Sequence, residues 1–337
     1  MAPSLPISTE PVIEAHDLRK WYPVRRGALA ALLDRTPPRQ LKAVDGVSFA
    51  VAAGEVLGLV GESGSGKSTT GMTLLKLHEP TSGEIRFHGL GVLRGEGRRT
   101  RLAFRRQAQI VFQNPYESLN PRYTVAQSVR EPIAIHFPGN PEAQREKLVR
   151  AMVRAGLTPV ETYLDRYPHQ LSGGQLQRIA IARAISVEPR FLVADEPVSM
   201  LDVSIRAGIL NLLRYFATEL EMAVLYISHD LSTMRHVCST VAVMYLGRII
   251  EMGPADQVLD QPHHPYAQAL VAAVPVMGGR SARDRAPLTG AVPNPSDLPT
   301  GCRFHPRCPK AMAGCRVSEP ELKPVARGHQ VACHLYN

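Results

Sequence analysis

Nine consecutive residues constrain this chain more than any other stretch. Gly61-Glu62-Ser63-Gly64-Ser65-Gly66-Lys67-Ser68-Thr69 match the pattern G-x-x-x-x-G-K-[ST]. The apolar run Val56-Leu57-Gly58-Leu59-Val60 leads into it, and a stretch of helical period, Thr69–Leu77, follows. A glycine-rich loop between a buried strand and a helix can turn its backbone N–H groups inward around anionic oxygens, and the helix N-terminus adds its dipole. Lys67 is placed to reach β- and γ-phosphates, and the Ser68 hydroxyl to hold Mg²⁺. The pattern therefore predicts a nucleotide site on an α/β sheet. Further strand-like runs, Phe191–Ala194, Ala223–Ile227 and Val241–Tyr245, alternate with longer helical segments as such a sheet requires.

Composition excludes several alternatives. With 337 residues, 44% hydrophobic and 20% charged, the chain is a globular one with room for two domains. No apolar run approaches the roughly 18–20 residues of a membrane helix, and Met1–Pro6 lacks the features of a signal peptide. A soluble, cytosolic product is expected, with any membrane role supplied through a partner. The formal charge is +9, densest at Arg94, Arg98, Arg99, Arg101, Arg105 and Arg106, with Glu96 among them. That patch fits a solvated loop face or a polyanion surface; no nucleic-acid-binding signature accompanies it, so no nucleic acid is expected as partner, with a soluble ATPase acting on nucleic acid as the alternative. Arg25–Arg39, containing Pro37-Pro38, looks like an inserted loop.

A second anion-binding helix start appears at Leu171-Ser172-Gly173-Gly174-Gln175, followed by Leu176–Ala184. Two such loops far apart in one chain are most simply explained if the second closes over the nucleotide of another subunit. Here the sequence resembles the ATP-binding-cassette (ABC) ATPases, over about residues 12–255. The resemblance implies a P-loop NTPase cassette of α/β class, with a RecA-like core and an antiparallel β subdomain. A helical subdomain would run from about Asn114 to the signature helix. It also implies roles for residues found in the family's order. Asp195, at the end of Phe191-Leu192-Val193-Ala194-Asp195-Glu196, would hold Mg²⁺ through water, with Ser68 and Gln113, and Glu196 would be the general base. Gln113 would form the Q-loop, His229 would contact the γ-phosphate, and Asp202 would lie in the D-loop across a dimer. Leu171–Gln175 would act in trans. Tyr22, with Trp21 as the alternative, would stack on adenine. Two departures from the family pattern, Met200 in the D-loop and Leu176 after the signature, remove no group that touches phosphate.

From about Gln261 the composition shifts: 11 of the 28 prolines and four of the five cysteines lie in this tail. We expect residues 1–260 to be the nucleotide-binding domain and 261–337 a small Cys-rich module. Gln261–Leu270, Val274-Pro275 and Gly301–Pro309 resemble the C-terminal extension of the oligopeptide/dipeptide importer ATPases, and the segments Leu18–Val24 and Ala43–Phe49 look most like their second, F-type ATPase. That resemblance implies a second, different ATPase chain, two transmembrane permease subunits and an extracytoplasmic binding protein, at the cytoplasmic face of the membrane. Peptide, nickel, glutathione or opine could be the cargo, because the cargo is read by other chains. The cysteines Cys302, Cys308, Cys315 and Cys333 are spaced C-x₅-C-x₆-C-x₁₇-C. In a reducing cytosol a metal is a better account of them than disulfides. Four thiolates suit zinc or a [4Fe–4S] cluster, and four free thiols remain open; the resemblance points to iron–sulfur. The expected role is a structural staple, since nothing in the sequence places this tail near the phosphate loop. Cys238, alone in the body, reads as a buried apolar residue.

Overall fold

The apolar runs fold as strands buried on both faces. Every residue of Val56–Val60, Phe191–Asp195 and Ala223–Ser228 is buried, as a parallel sheet covered by helices demands. The structure, a computed structural model, describes residues 10–24, 39–91, 97–274, 290–291 and 293–336. The inserted loop at 25–38, Arg94 and Glu96 of the basic patch, Pro275 and the first nine residues lie outside the described residues. The chain divides into two compact units. One gathers Val51–Val56 and Phe87–Ile227 with the residues up to Ile13; the other gathers Glu14–Ala50, Leu57–Arg86 and Ser228–Asn337.

In the first unit Ala108–Val111, Phe191–Asp195 and Ala223–Ser228 run parallel, with Val111 opposite Ala194 and Ala194 opposite Tyr226. This register brings the residues just beyond Val111 and just beyond Asp195 out at one end of neighbouring strands. The helices Val125–His136, Pro141–Arg154 and Gly173–Ile185 pack on one another, forming the helical part that the sequence predicts after Asn114. Each begins on a polar cap: Thr124 with Gln127, Asn140, and Ser172 with Gln175. Such caps stabilise a helix start by about 1 kcal/mol.

In the second unit Leu57–Val60 pairs in parallel with Thr240–Tyr245, which pairs antiparallel with Arg248–Pro254. The sheet then continues into the C-terminal tail, through His329–Val331 to Lys323–Ala326. A further sheet holds Gln40–Ala52, Pro11–Pro23 and Ser82–Phe87 in that order. Its antiparallel sense follows from paired bonds: Thr81 N–H to Arg19 C=O with His88 N–H to Val12 C=O, and Val24 N–H to Arg39 C=O with Asp17 N–H to the Ser48 hydroxyl. The helix after the phosphate loop is Lys67–Leu74, starting and ending earlier than the Thr69–Leu77 reading. It stops because Lys76 takes the left-handed conformation, at φ 52°.

Residues on both sides of position 261 lie in the second unit. The tail, read as poor in helix signals, nonetheless opens with the helix Pro265–Ala273. Its start combines proline at the first turn with a cap in which the His264 Nδ1 accepts the Tyr266 N–H at 3.0 Å. His264 is 1% exposed, and burial depresses its pKa to about 3, so the ring stays neutral and can accept. A folded-state pKa below the unfolded value of about 6.5 stabilises the fold above pH 6.5 and loses that contribution as pH falls. We therefore expect His264 to cost roughly 1.4 kcal/mol of stability per pH unit on acidification below about pH 6.5. His264→Asn keeps a cap acceptor but not the proton site, so urea unfolding between about pH 7 and pH 5 should show a shallower slope for the variant. Equal slopes would refute the assignment.

Candidate nucleotide site

The phosphate loop is held open by backbone contacts that exclude a side chain. Gly66 caps the Lys67–Leu74 helix at φ 105°, and a Cβ there would lie 2.0 Å from the Ala43 carbonyl oxygen. No side chain caps this helix start. Lys67, 6% exposed, donates to the carbonyls of Gly61 at 2.8 Å and Glu62 at 2.9 Å. Ser65 is buried beside it, and its carbonyl accepts the Gly247 N–H at 2.8 Å. Glu62, Ser63 and Gly64 form the outer part of the loop, and Ser68 and Thr69 begin the helix. Tyr22 stands beside that helix. Its hydroxyl meets the His78 Nδ1 at 2.6 Å and bonds Thr69, while burial raises its pKa. Trp21 is engaged elsewhere: its indole N–H donates to Asp45 at 2.9 Å. His229 follows the strand Ala223–Ser228 and is exposed, just before the helix Leu231–Val237, which Asp230 caps.

In the first unit, strand register accounts for the other pairing. Gln113 lies two residues past Val111 and Glu196 two past Ala194, its opposite number. The Gln113 amide N–H donates to a Glu196 carboxylate oxygen at 3.1 Å. Glu196 itself takes φ 46°, a left-handed conformation that a glutamate seldom adopts. It is held there by its N–H on the Ile227 carbonyl and by the Ser199 hydroxyl and N–H on its own carbonyl. Glu188 and Glu221 take the same conformation, at φ 56° and 51°, so at Glu196 it is the Gln113 contact that singles the residue out. Asp195 sits at the strand end, 8% exposed.

Signature and D-loop residues are the starts of two adjacent helices. The Ser172 hydroxyl accepts the Gln175 N–H, and the Gln175 side chain accepts the Ser172 N–H. Gly174 must be glycine for packing, since a Cβ would lie 2.7 Å from Ile205 Cγ2. Gly173 has room, its nearest neighbour being Leu201 Cδ2 at 3.8 Å, so packing does not explain it. Leu171 and Leu176 are buried, which accounts for the apolar residue after the motif. Asp202 caps the helix Val203–Thr218 by accepting the Ile205 N–H at 3.0 Å, and Met200 beside it is 62% exposed. Tyr22, the phosphate loop and His229 thus belong to the second unit, and Gln113, Asp195, Glu196, the signature and Asp202 to the first.

The tail is not remote from the phosphate loop, contrary to the sequence-based expectation. The Arg307 guanidinium forks onto the Glu62 carboxylate at 2.7 and 3.0 Å, and the Tyr266 hydroxyl accepts the Glu62 N–H at 2.9 Å. Arg303 reaches Asp45, the Leu246 carbonyl and Glu319. Burial pushes the Asp45 carboxyl up, but the Arg303 hydrogen bond together with the charges of Arg303, Lys42 and Arg248 outweighs this and holds it below its usual value. These contacts span 245 and 258 positions in the chain, a separation at which sequence patterns carry no signal.

Both arginines are flanked by the tail cysteines. All five cysteines are unpaired thiols, and Cys238 is buried against Met234 as expected. Burial raises the pKa of Cys302 to about 11, and the charges of Cys315, Cys333 and Cys308 raise it further. Cys308 and Cys333 are also raised, by burial and then by their fellow cysteines. Each of the four sulfurs accepts a backbone N–H: from Phe304, Lys310, Met312 and Leu335 to Cys302, Cys308, Cys315 and Cys333 in turn. Among the described residues, the ligand atoms that lie within 4.8 Å of one another as a possible metal group belong to Glu251, His263 and His329 and not to the four cysteines.

The family described as ABC transporter matches residues 44–199, and that described as Oligopeptide/dipeptide transporter, C-terminal region, matches residues 250–315. The oligopeptide transport ATP-binding protein AppF of Bacillus subtilis is 44% identical over 97% of this chain and 98% of its own length. The chain belongs to the ABC transporter ATP-binding proteins, in their oligopeptide/dipeptide branch. The dipeptide transport ATP-binding protein DppF of Escherichia coli is 46% identical over 96% of this chain and 94% of its own. Among solved structures, cbiO1 from Clostridium perfringens, part of the ABC transporter complex cbiONQ, matches 75% of this chain and 92% of its own. It does so with a TM-score of 0.63 at 27% identity. The ATP-binding cassette MJ0796, solved as a dimer bound to ADP and Pi, matches 72% of this chain and 98% of its own, at TM-score 0.62 and 26% identity. This ABC protein is accordingly an ATPase coupled to transport, using ATP and Mg²⁺ and working with membrane permease partners. None of its described helices is long and apolar enough to cross a membrane.

The two loop glycines separate close approach from simple loop freedom. Gly66→Ala places a Cβ against the Ala43 carbonyl, whereas at Gly64 a Cβ meets nothing within 4 Å. We expect Gly66→Ala to weaken ATP binding at least about tenfold and Gly64→Ala only about two- to threefold, the residual cost of its φ. Titration with a fluorescent ATP analogue tests this, and equal losses would count against the steric account.

Proposed function

We propose that this chain is the ATP-hydrolysing subunit of an importer of di- and oligopeptides. The match of its residues 250–315 to the oligopeptide/dipeptide C-terminal region supports the peptide branch, as do relatives that are similar over nearly their whole length. The observation that carries the hydrolytic role is the Gln113–Glu196 pair, with Glu196 held at a strained φ beside the buried Asp195. In the reading we favour, Lys67 and the loop N–H groups bind the β- and γ-phosphates and Tyr22 lies against adenine. The counterparts of Leu171–Gln175 and Asp202 in a second cassette close over the γ-phosphate, and this chain's own close over the partner's nucleotide. The donor set of Ser68 hydroxyl, Gln113 amide oxygen and Asp195 carboxylate is hard oxygen throughout, which fits Mg²⁺. When bound, that ion neutralises phosphate charge. Glu196 takes the proton of the attacking water at its carboxylate, Gln113 orients it, and His229 holds the γ-phosphate.

The second cassette is a different chain, and the pair drives two permease subunits at the cytoplasmic membrane face, fed by an external binding protein. Exposed Phe112 and Tyr116, which flank Gln113 in the chain, are apolar side chains that such a partner could cover. Residues 261–337 form the extension, with Cys302, Cys308, Cys315 and Cys333 holding a [4Fe–4S] cluster as a structural staple. The supporting features are four cysteines within one short extension, their backbone N–H donors and gaps wider than a zinc knuckle's.

Glu196→Gln should retain ATP binding, lower turnover by about 10²–10⁴-fold and accumulate as an ATP-bound dimer on gel filtration. Turnover near that of the unaltered protein would remove Glu196 as base. For the tail, anaerobically purified protein should carry about four iron and four sulfide per chain, lost in Cys308→Ser. Finding one zinc instead would replace the cluster. Cargo is tested by ATP turnover in proteoliposomes with the permease and binding protein: stimulation by a dipeptide supports the reading, and stimulation by nickel or glutathione alone overturns it.

A further inference from the structure

An acidic side chain within a phosphate-binding loop works against its ligand. Glu62 is the second residue of the loop, and a carboxylate there repels a nucleotide triphosphate that carries several negative charges. The structure answers this with a cation from the far end of the chain. Arg307 is 5% exposed in its side chain and meets both Glu62 oxygens at 2.7 and 3.0 Å, the two-pronged geometry in which a guanidinium neutralises a carboxylate. Its position is fixed from behind. The Tyr245 hydroxyl lies 3.4 Å from Nη1, and the guanidinium stands 5.9 Å from the centre of the Tyr245 ring. Tyr245 in turn packs on Tyr266 and Phe304, with ring centres 4.7 and 5.4 Å apart. Tyr266 closes the clamp by accepting the Glu62 N–H, and the Glu62 carbonyl is one of the two that receive Lys67. The peptide of Glu62 is therefore gripped at its N–H, its side chain and its carbonyl.

We propose that Arg307, with Tyr266, is a positioning residue for ATP binding: it cancels the charge of Glu62 and sets the loop's shape, so the C-terminal extension takes part in nucleotide affinity. This rests on reading Gly61–Thr69 as the phosphate loop, and Lys67→Ala tests that reading separately, since it must weaken ATP binding whatever Arg307 does.

Charge cancellation makes a prediction that a merely structural arginine does not. Arg307→Gln leaves Glu62 uncompensated and should raise the Kd for MgATP about tenfold, with the deficit shrinking as salt is raised. Adding Glu62→Gln to that variant should restore the Kd to within about threefold of the unaltered protein, because the repelling charge is gone. Arg307→Lys, which keeps the charge but not the fork, should stay within about threefold. Should Arg307→Gln fail to fold, Glu62→Gln decides: it takes the carboxylate from Arg307 as well, but it removes the repelling charge and leaves a cation beside the loop, so MgATP should bind more tightly, the gain shrinking as salt is raised. An unchanged Kd in Arg307→Gln overturns the proposal. So does a double variant as weak as the single one, or a clear loss of affinity in Glu62→Gln.

Discussion

The second unit depends on a carboxyl group with no exposure to solvent. Glu251 projects from the strand Arg248–Pro254 and accepts hydrogen bonds from the His263 N–H at 2.8 Å, the His264 N–H at 2.7 Å and the His329 Nε2 at 2.8 Å. Burying such a group without partners costs several kcal/mol. Its three donors come from two tail segments, which strand pairing at His329–Val331 and the Gln268 bonds to the Pro262 and His263 carbonyls also help to place. Satisfying Glu251 sets where the helix Pro265–Ala273 begins and where His329–Val331 joins the sheet edge. That placement carries Tyr266 to the phosphate loop. One buried polar group thus orders the extension, and the extension orders part of the site.

A different device builds the hydrolytic pair in the first unit. Parallel strands in register deliver Gln113 and Glu196 to the same sheet end, and the loop after Asp195 then bends through an unfavourable φ to turn the glutamate toward the glutamine. The geometry is precise because neither residue sits on a long loop of its own. Helix caps serve twice in the same way. Ser172 and Gln175 satisfy each other's backbone, and Asp202 satisfies Ile205, so residues that the family resemblance assigns to a neighbouring subunit also hold their own helices in shape.

Much of this was legible in the sequence because it is local. The phosphate loop, the signature and the strand ending in Asp195-Glu196 are short patterns whose physics acts within a few residues. The buried strands announced themselves as uninterrupted apolar runs. What escaped was non-local or conformational. Nothing in the letters around Glu196 signals a left-handed backbone, which the Ile227 and Ser199 contacts impose. Proline and cysteine content suggested a self-contained tail, yet its strands extend a sheet begun before residue 261, since edge pairing depends on the partner and not on composition. Arg303 and Arg307 read as ordinary basic residues between cysteines, although both are buried on acids far earlier in the chain.

Two facts about Glu251 and Glu62 bear on how such a protein could be shortened. Ending the chain near residue 260, where the composition shifts, would strip Glu251 of all three of its donors at once. It would also leave Glu62 without guanidinium or hydroxyl, and uncover Tyr245 where Tyr266 and Phe304 now lie. Removing one partner of a buried polar pair typically costs 3–5 kcal/mol, a large fraction of what holds a domain folded. The smallest autonomous nucleotide-binding piece of this chain is therefore larger than a cassette, because its last strands and turns complete the interior that the cassette began.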